Sequence, residues 1–176
     1  MTMELGMLIL QVTIGLLLAG HGAQKLFGWF GGHGLAGTTA WLAGMGLRPA
    51  RFWAIVAGVA EFGGGLLTAF GLFHPLGPLA IMAAMLGASA LVHWPKGLWI
   101  TNGGGEYNLV LIAIAAVLGL SGPGAYALDR LFGNALPQPQ TFWIGLAVIL
   151  IALATALLGR RAASTPQPAQ QAGGVA

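Results

Sequence analysis

The first long apolar stretch of the chain, residues 5–27, reads LGMLILQVTIGLLLAGHGAQKLF. It contains no acidic residue, and its only Lys or Arg is Lys25, close to its end. An α-helix rises about 1.5 Å per residue and the hydrocarbon core of a bilayer is about 30 Å thick, so about 20 apolar residues suffice for one crossing. Inside a bilayer every backbone amide needs an internal partner, which favours a helix over an open strand. The stretch therefore predicts a transmembrane helix.

Four further apolar runs follow this first one along the chain. They cover residues 52–73, 76–94, 107–121 and 142–158. The run at 107–121 is short and must begin close to Glu106 if it is to cross a bilayer. Between the first two runs, the segment from Thr38 to Leu47 predicts a short interfacial helix with Trp41 at the level of the lipid headgroups.

These elements predict an all-α fold, a polytopic transmembrane helical bundle with a four-helix core and a fifth span near the C-terminus. The core is expected over residues 1–131, followed by a linker at 132–141 that is rich in Gly, Pro and Gln. An additional transmembrane helix is expected at 142–159. The segment 160–176, with its Pro, Gln, Ala and Gly, predicts a disordered tail.

The composition excludes several classes of protein. Only seven basic and four acidic residues occur among 176, and the mean hydropathy is +0.82, so the charges are too few to solvate the surface of a soluble domain. The absence of Cys excludes disulfides, thiolate zinc sites and Cys-ligated iron–sulfur clusters. The basic residues are scattered at the ends of apolar runs and form no stripe, so no nucleic-acid partner is predicted. The expected surroundings are a lipid bilayer.

Ionisable side chains inside membrane helices are costly and indicate function by default. In the first span His21, Gln24 and Lys25 are spaced i, i+3 and i+4, which places them on one helix face near its C-terminal end. In the second span Glu61 is followed by the glycines of residues 63–65. Small residues around an intramembrane carboxylate let another helix or a flat ligand approach closely.

Successive spans run in opposite directions, so the first and third end on the side where the second and fourth begin. His21, Lys25, His93 and Glu106 are therefore expected at one level of the membrane, with Glu61 deeper and paired to Lys25. This arrangement predicts a polar pocket between helices near one face of the bundle. The expected catalytic residues are His21, Lys25 and Glu61, and the expected ligand-binding residues are Gln24, His93, Glu106 and Tyr107.

Simpler structural explanations exist for the same residues. Lys25 can snorkel to the interface, as long basic side chains do near helix ends. The Lys25–Glu61 pair can serve only to set the register of two helices. His93 can cap a helix at the interface, and Tyr107 can belong to an aromatic belt.

The chemistry of the pocket fits a quinone better than the other ligands considered. A flat apolar ring needs a gap between helices, and its carbonyls need hydrogen-bond donors and a carboxylate that exchanges protons. Two histidines on neighbouring helices can also ligate a haem, although nothing in the sequence sets their distance. Met82, Met85 and His93 are soft ligands for copper, but methionines at helical spacing more often pack in a core. No metal site is predicted.

Four blocks of this sequence together resemble the DoxX family of membrane proteins. They are HGAQKLFG at 21–28, EFGGG at 61–65, the segment 93–107 with His93, Gly97 and NGGGEY, and GPGAYALD at 122–129. They occur in the order of the family. The last block of the family usually reads Gly-Pro-Gly-x-x-Ser-Leu-Asp, and here Ala127 takes the position of the serine.

The resemblance implies a four-helix bundle in the bacterial inner membrane, and it covers about residues 5–131. The family takes its name from a subunit of a thiosulfate:quinone oxidoreductase, which points to quinone-linked redox work with a soluble or membrane oxidoreductase as partner. At most, the chain is expected to be an oxidoreductase subunit that binds a small lipophilic molecule. The alternatives are a non-catalytic subunit that anchors or assembles a redox complex, and a small-solute transporter, for which no inverted repeat is visible.

Overall fold

The α-helices of the protein follow the apolar runs of its sequence. The structure is a computed structural model and describes residues 2–133 and 136–163. The helices in chain order are α1 (Thr2–Phe27), α2 (Gly34–Gly44), α3 (Ala50–Phe70), α4 (Leu76–Ala88), α5 (Glu106–Ser121), α6 (Leu128–Phe132) and α7 (Gln140–Ala163). Helix α4 continues through a π-helical turn, Ser89–His93, and a 3₁₀ turn, Trp94–Lys96. No strand occurs in the described ranges.

Within the described residues, four helical segments are long and apolar enough to cross a membrane. They are Thr2–Phe27, Ala50–Phe70, Leu76–Lys96 and Gln140–Leu158. Helix α5 is apolar but shorter, with 16 residues. The predicted all-α transmembrane bundle is therefore confirmed, and the protein is a membrane protein. Helix α2 lies between the first two spans, where the short interfacial helix was expected.

Several boundaries differ from those expected. Helix α3 ends at Phe70 because Gly71 adopts a left-handed conformation with φ 60°, and the amide of Leu72 then donates 2.9 Å back to the carbonyl of Leu67. Helix α7 continues to Ala163, four residues into the segment expected to be a disordered tail, because Arg and Ala are good helix formers. Residues 164–176 of that tail, and residues 134 and 135 of the linker, lie outside the described residues.

Helices α1 and α3 pack closely because glycines face each other across their contact. A Cβ added to Gly65 would lie 2.5 Å from the carbonyl oxygen of Gly15, and one added to Gly15 would lie 2.5 Å from the amide nitrogen of Ala69. A Cβ on Gly22 would meet the backbone of Phe62 in the same way. Small residues allow this backbone approach, and the close packing that results is one of the interactions that hold helices together in membranes.

We expect a Gly65→Val substitution to destabilise the bundle by about 3 kcal/mol, at the upper end of overpacking costs, because the atoms it meets are backbone atoms. Gly63→Val is the matched control on the same helix, since a Cβ on Gly63 meets nothing within 4 Å. Thermal unfolding of both variants in one detergent, followed by circular dichroism, measures the difference. Equal unfolding temperatures for the two variants would contradict the close contact.

The main apolar core lies among α1, α4, α5 and the start of α7. Its buried residues are Ile14, Leu18, Leu79, Ile81, Met82, Met85, Leu111, Ala115 and Phe142. Phe142 fixes the start of α7, because its ring lies where a Cβ on Gly119 of α5 would have to go. Gly145, one turn later, faces Leu79 of α4 at similarly close range. Helix α7 is thus attached to the bundle near its N-terminal end.

The turn between α3 and α4 is held by a buried carboxylate from α6. The oxygens of Asp129 accept hydrogen bonds from the amides of Phe73 at 2.8 Å and His74 at 2.7 Å. The imidazole Nε2 of His74 donates to the carbonyl of Gly119 at 3.1 Å, and burial lowers the pKa of that imidazole. These contacts join the turn to α5 and α6 at the end of the bundle opposite Lys25.

Candidate functional site

A cavity of about 250 Å³ lies between α2, α3, α4 with its π-helical turn, and α7. Most of its wall is apolar. Helix α2 contributes Trp41, α3 contributes Trp53 and Ala60, and α7 contributes Ile149 and Leu153. A largely apolar cavity with a few polar groups is the usual form of a small-molecule site, and this volume lies slightly below the usual range of about 300–1,000 Å³.

The polar part of the cavity wall is an ion pair between α1 and α3. The ammonium Nζ of Lys25 donates a hydrogen bond to Oε1 of Glu61, as the sequence predicted. The side chain of Glu61 is 3% exposed and that of Lys25 is 30% exposed. A buried carboxylate is costly unless a cation and hydrogen bonds compensate for its lost hydration, so Lys25 is the group that makes this position of Glu61 tolerable.

Helix α2 is tied to the same place by Thr38. Its hydroxyl donates to the carbonyl of Lys25 at 3.2 Å and to that of Gly34 at 2.8 Å. Lys25 is near the end of α1, where backbone carbonyls have no partner within their own helix. Thr38 also lines the cavity, so α2 closes the cavity beside the ion pair.

Two buried polar side-chain atoms have no hydrogen-bond partner in the described part of the chain. They are Oε2 of Glu61 and Nδ2 of Asn108, which is on α5. Buried polar atoms in proteins are nearly always hydrogen-bonded, so each exception needs an explanation. Glu61 lines the cavity, whereas Asn108 is not among its lining residues.

The other predicted site residues of α1 lie away from the cavity. His21 is exposed, and Gln24 donates to the carbonyl of Phe30 at 3.3 Å. The face of α1 that meets α3 is set by its small buried residues, including Gly22 and Ala23, and His21 falls beside that face rather than on it. The spacing predicted one shared face of α1 for His21, Gln24 and Lys25, but only Lys25 among them lines the cavity.

The predicted residues of the third and fourth spans surround the loop that joins them. His93 Nδ1 donates to the carbonyl of Gly103 at 2.7 Å, and Glu106 begins α5. Tyr107, the next residue of α5, is 42% exposed. None of these three residues lines the cavity. The roles expected for His21, Gln24, His93, Glu106 and Tyr107 stay predictions.

The π-helical turn at the end of α4 borders the cavity. Its residues Leu91 and Val92 form part of the wall, and the same turn carries His93 to the loop at Gly103. A π-helical turn inserts one extra residue into a helix and is frequent at functional sites. The hydropathy pattern gave no sign of this turn, because Ser89 to His93 continue an apolar run.

Sequence reasoning also missed the part that α7 plays in the cavity. The fifth apolar run lay beyond the four-helix core, and nothing placed it near Glu61. One signal was present in the sequence. Val148, Ala152 and Ala156 recur at i, i+4 and i+8, so they form one helix face with small side chains. All three line the cavity.

Metal ligands are not grouped in the described residues. Within residues 2–133 and 136–163, no group of three or more His, Cys, Asp or Glu side chains could hold a metal ion. Met82 and Met85, the soft ligands of the copper alternative, are buried in the apolar core. Their helical spacing therefore reflects packing.

Comparison with known proteins identifies the family. A family model described as DoxX matches residues 6–94, about half of the chain. Searches of curated proteins and of solved structures found no match. The matched region runs from α1 to the end of the π-helical turn and includes both Lys25 and Glu61. The chain therefore belongs to the DoxX family.

Proposed function

We propose that this protein is a quinone-linked redox subunit of the bacterial inner membrane, in which the cavity binds a quinone or a similar lipophilic molecule. The observation that carries the proposal is the position of the Lys25–Glu61 pair in the wall of an otherwise apolar cavity. Apolar walls accept a ring and chain, and one ion pair offers both a hydrogen-bond donor and a proton-exchanging carboxylate. Trp41 and Trp53 add flat aromatic surfaces to the wall.

The roles of the residues follow from their chemistry. Reduction of a quinone to a quinol takes up two electrons and two protons. An ammonium group has three N–H donors, so Lys25 can bond a quinone carbonyl while it remains paired with Glu61. Glu61, ionised in the pair, would take up a proton as the ring is reduced and pass it to a ring oxygen, which restores the carboxylate. The electrons would come from a partner oxidoreductase that carries its own redox centre, since no side chain of this site transfers electrons.

The test is to fill the cavity and to measure what remains bound. A Cβ on Gly87, which lines the cavity, meets nothing within 4 Å, so Gly87→Phe places a ring in the cavity without a backbone clash. We expect mass spectrometry of extracts from the purified protein to find quinone in the wild type. Because the added ring takes the place of the quinone ring, we expect about tenfold less quinone in Gly87→Phe.

The matched control is Val59→Phe, since Val59 is 53% exposed on α3 and does not line the cavity. This variant should retain as much quinone as the wild type. Wild-type protein that is empty after mild extraction, or equal quinone in the two Phe variants, would contradict the proposed function.

The second candidate is a non-catalytic subunit that anchors or assembles a redox complex. The observation that favours it is that the Lys25–Glu61 pair joins α1 to α3, which a purely structural role in helix register also explains. The two candidates predict different results for a variant in which Lys25 and Glu61 exchange their charges.

A further inference from the structure

Only one of the two carboxylate oxygens of Glu61 has a hydrogen-bond partner among the described residues. Oε1 accepts the hydrogen bond from Lys25, whereas Oε2 is buried and has no partner in the described residues. An ionised carboxylate can only accept hydrogen bonds, and its two oxygens offer about four acceptor positions. Leaving a buried charged oxygen without a donor is unfavourable, so a ligand that supplies a donor gains more here than it would in water.

This asymmetry distinguishes the two redox states of a quinone. The oxygens of a quinone are carbonyls and can only accept, so they cannot bond to Oε2 of the carboxylate. The hydroxyls of a quinol can donate. Both forms have a similar ring and fit the same apolar wall, which includes Trp41 and Trp53. Oε2 of Glu61 can therefore discriminate between the two forms, because it can bond to the hydroxyl of a quinol but not to the carbonyl of a quinone.

We infer that Glu61 makes the cavity selective for lipophilic phenols, the quinol form included, over lipophiles that carry only acceptors. The inference rests on the proposed function and adds the preferred chemical class to it. A site that binds the quinol more tightly than the quinone also raises the reduction potential of the bound pair. Such a site would draw electrons from the partner towards the ring.

The selectivity is measured with two redox-inert probes, 4-decylphenol and its methyl ether, 4-decylanisole. They share a ring and an alkyl chain, but only the phenol has an O–H donor. Binding to the full chain in one detergent is followed by calorimetry, with Gly87→Phe as the reference for non-specific uptake. We expect the phenol to bind the wild type at least about tenfold more tightly, because a hydrogen bond to a charged acceptor is strong.

A Glu61→Gln variant removes the selectivity by a defined route. Lys25 offers only donors, so the amide oxygen of Gln must face Lys25 and the amide NH₂ takes the place of Oε2. The NH₂ donates to a phenol oxygen and to an ether oxygen alike. We expect the ratio of the two affinities to fall to about one, with the anisole bound no more weakly than by the wild type.

The outcomes separate this inference from the proposed function. Specific and equal binding of the two probes to the wild type would overturn the selectivity and leave the cavity as a lipophile site. Binding of neither probe above the Gly87→Phe reference would overturn both. The ratio of the phenol and anisole affinities in the wild type tests the selectivity even if Glu61→Gln fails to fold. An unchanged ratio in a folded Glu61→Gln variant would overturn the role of Glu61.

Discussion

A Lys25→Met variant should lose about 3 kcal/mol of folding free energy, because it leaves Glu61 as a buried carboxylate without its cation. Removing one partner of a buried ion pair is far more costly than removing both, since the remaining charge keeps its desolvation penalty. Glu61 is 3% exposed, and no other described group bonds to its oxygens. Lys96→Met is the matched control, because Lys96 is exposed and such changes cost about 0.5 kcal/mol or less.

Unfolding of both variants in the same detergent, followed by circular dichroism as denaturant is added, measures the difference. The double variant Lys25→Met with Glu61→Met removes both charges and keeps side chains of similar length, so it should recover most of the loss. If Lys25→Met is as stable as Lys96→Met, the pair contributes nothing to the fold.

The reversed pair, Lys25→Glu with Glu61→Lys, then separates the two candidate functions. If the pair sets only the register of α1 and α3, reversal should restore both the stability and the association with a partner that either single change destroys. If the pair is a ligand site, the reversed protein should fold but should no longer retain quinone, because the acid and the donor have exchanged positions in the cavity wall. A reversed protein that folds and keeps its full quinone content would contradict the proposed roles of Lys25 and Glu61.

An Asp129→Ala variant should be destabilised by about 2–4 kcal/mol, because two backbone amides lose their acceptor at once. The amides of Phe73 and His74 donate to separate oxygens of Asp129, which is 1% exposed. A buried donor left unpaired costs about 1–3 kcal/mol, and the cost is smaller for the amide of Phe73, whose bond is only partly buried. Asp129→Asn keeps one acceptor oxygen, so we expect its loss to be intermediate.

The neighbouring Arg130→Ala variant is the control for this region, since the Arg130 side chain is exposed and its hydrogen bond to the carbonyl of Gly124 is on the surface. We expect it to unfold within about 0.5 kcal/mol of the wild type. Unfolding in denaturant measures all three variants. If Asp129→Ala and Arg130→Ala are equally stable, Asp129 does not hold the turn between α3 and α4.

The helices were predictable because their cause is local. An apolar run of about 20 residues in a membrane forms a helix whatever it packs against, so α1, α3, α4 and α7 could be located from the sequence within a few residues. The boundaries that differ depend on details that a hydropathy pattern does not contain. The left-handed Gly71 ends α3 early, and the π-helical turn at Ser89–His93 lies inside an apolar run.

The candidate site was partly predictable for a similar reason. A carboxylate as deep as Glu61 needs a cation, and the long side chain of Lys25 on the neighbouring span was the predicted partner. His21 shares a helix face with Lys25 but is exposed, because the glycines of α1 decide which side of that helix meets α3. The rotation of one helix against another depends on such contacts and not on the spacing within one helix.

By itself the sequence determined the membrane environment and the all-α fold, because both follow from hydropathy and from the geometry of helices in a bilayer. Its motif blocks pointed to the family, and the cost of a buried charge predicted the pairing of Lys25 with Glu61. Only the tertiary structure decided that α2 and α7 enclose a cavity beside that pair and that one oxygen of Glu61 has no hydrogen-bond partner among the described residues. A cavity is bounded by residues far apart in the chain, and its existence depends on how helices pack, which no single stretch of sequence encodes.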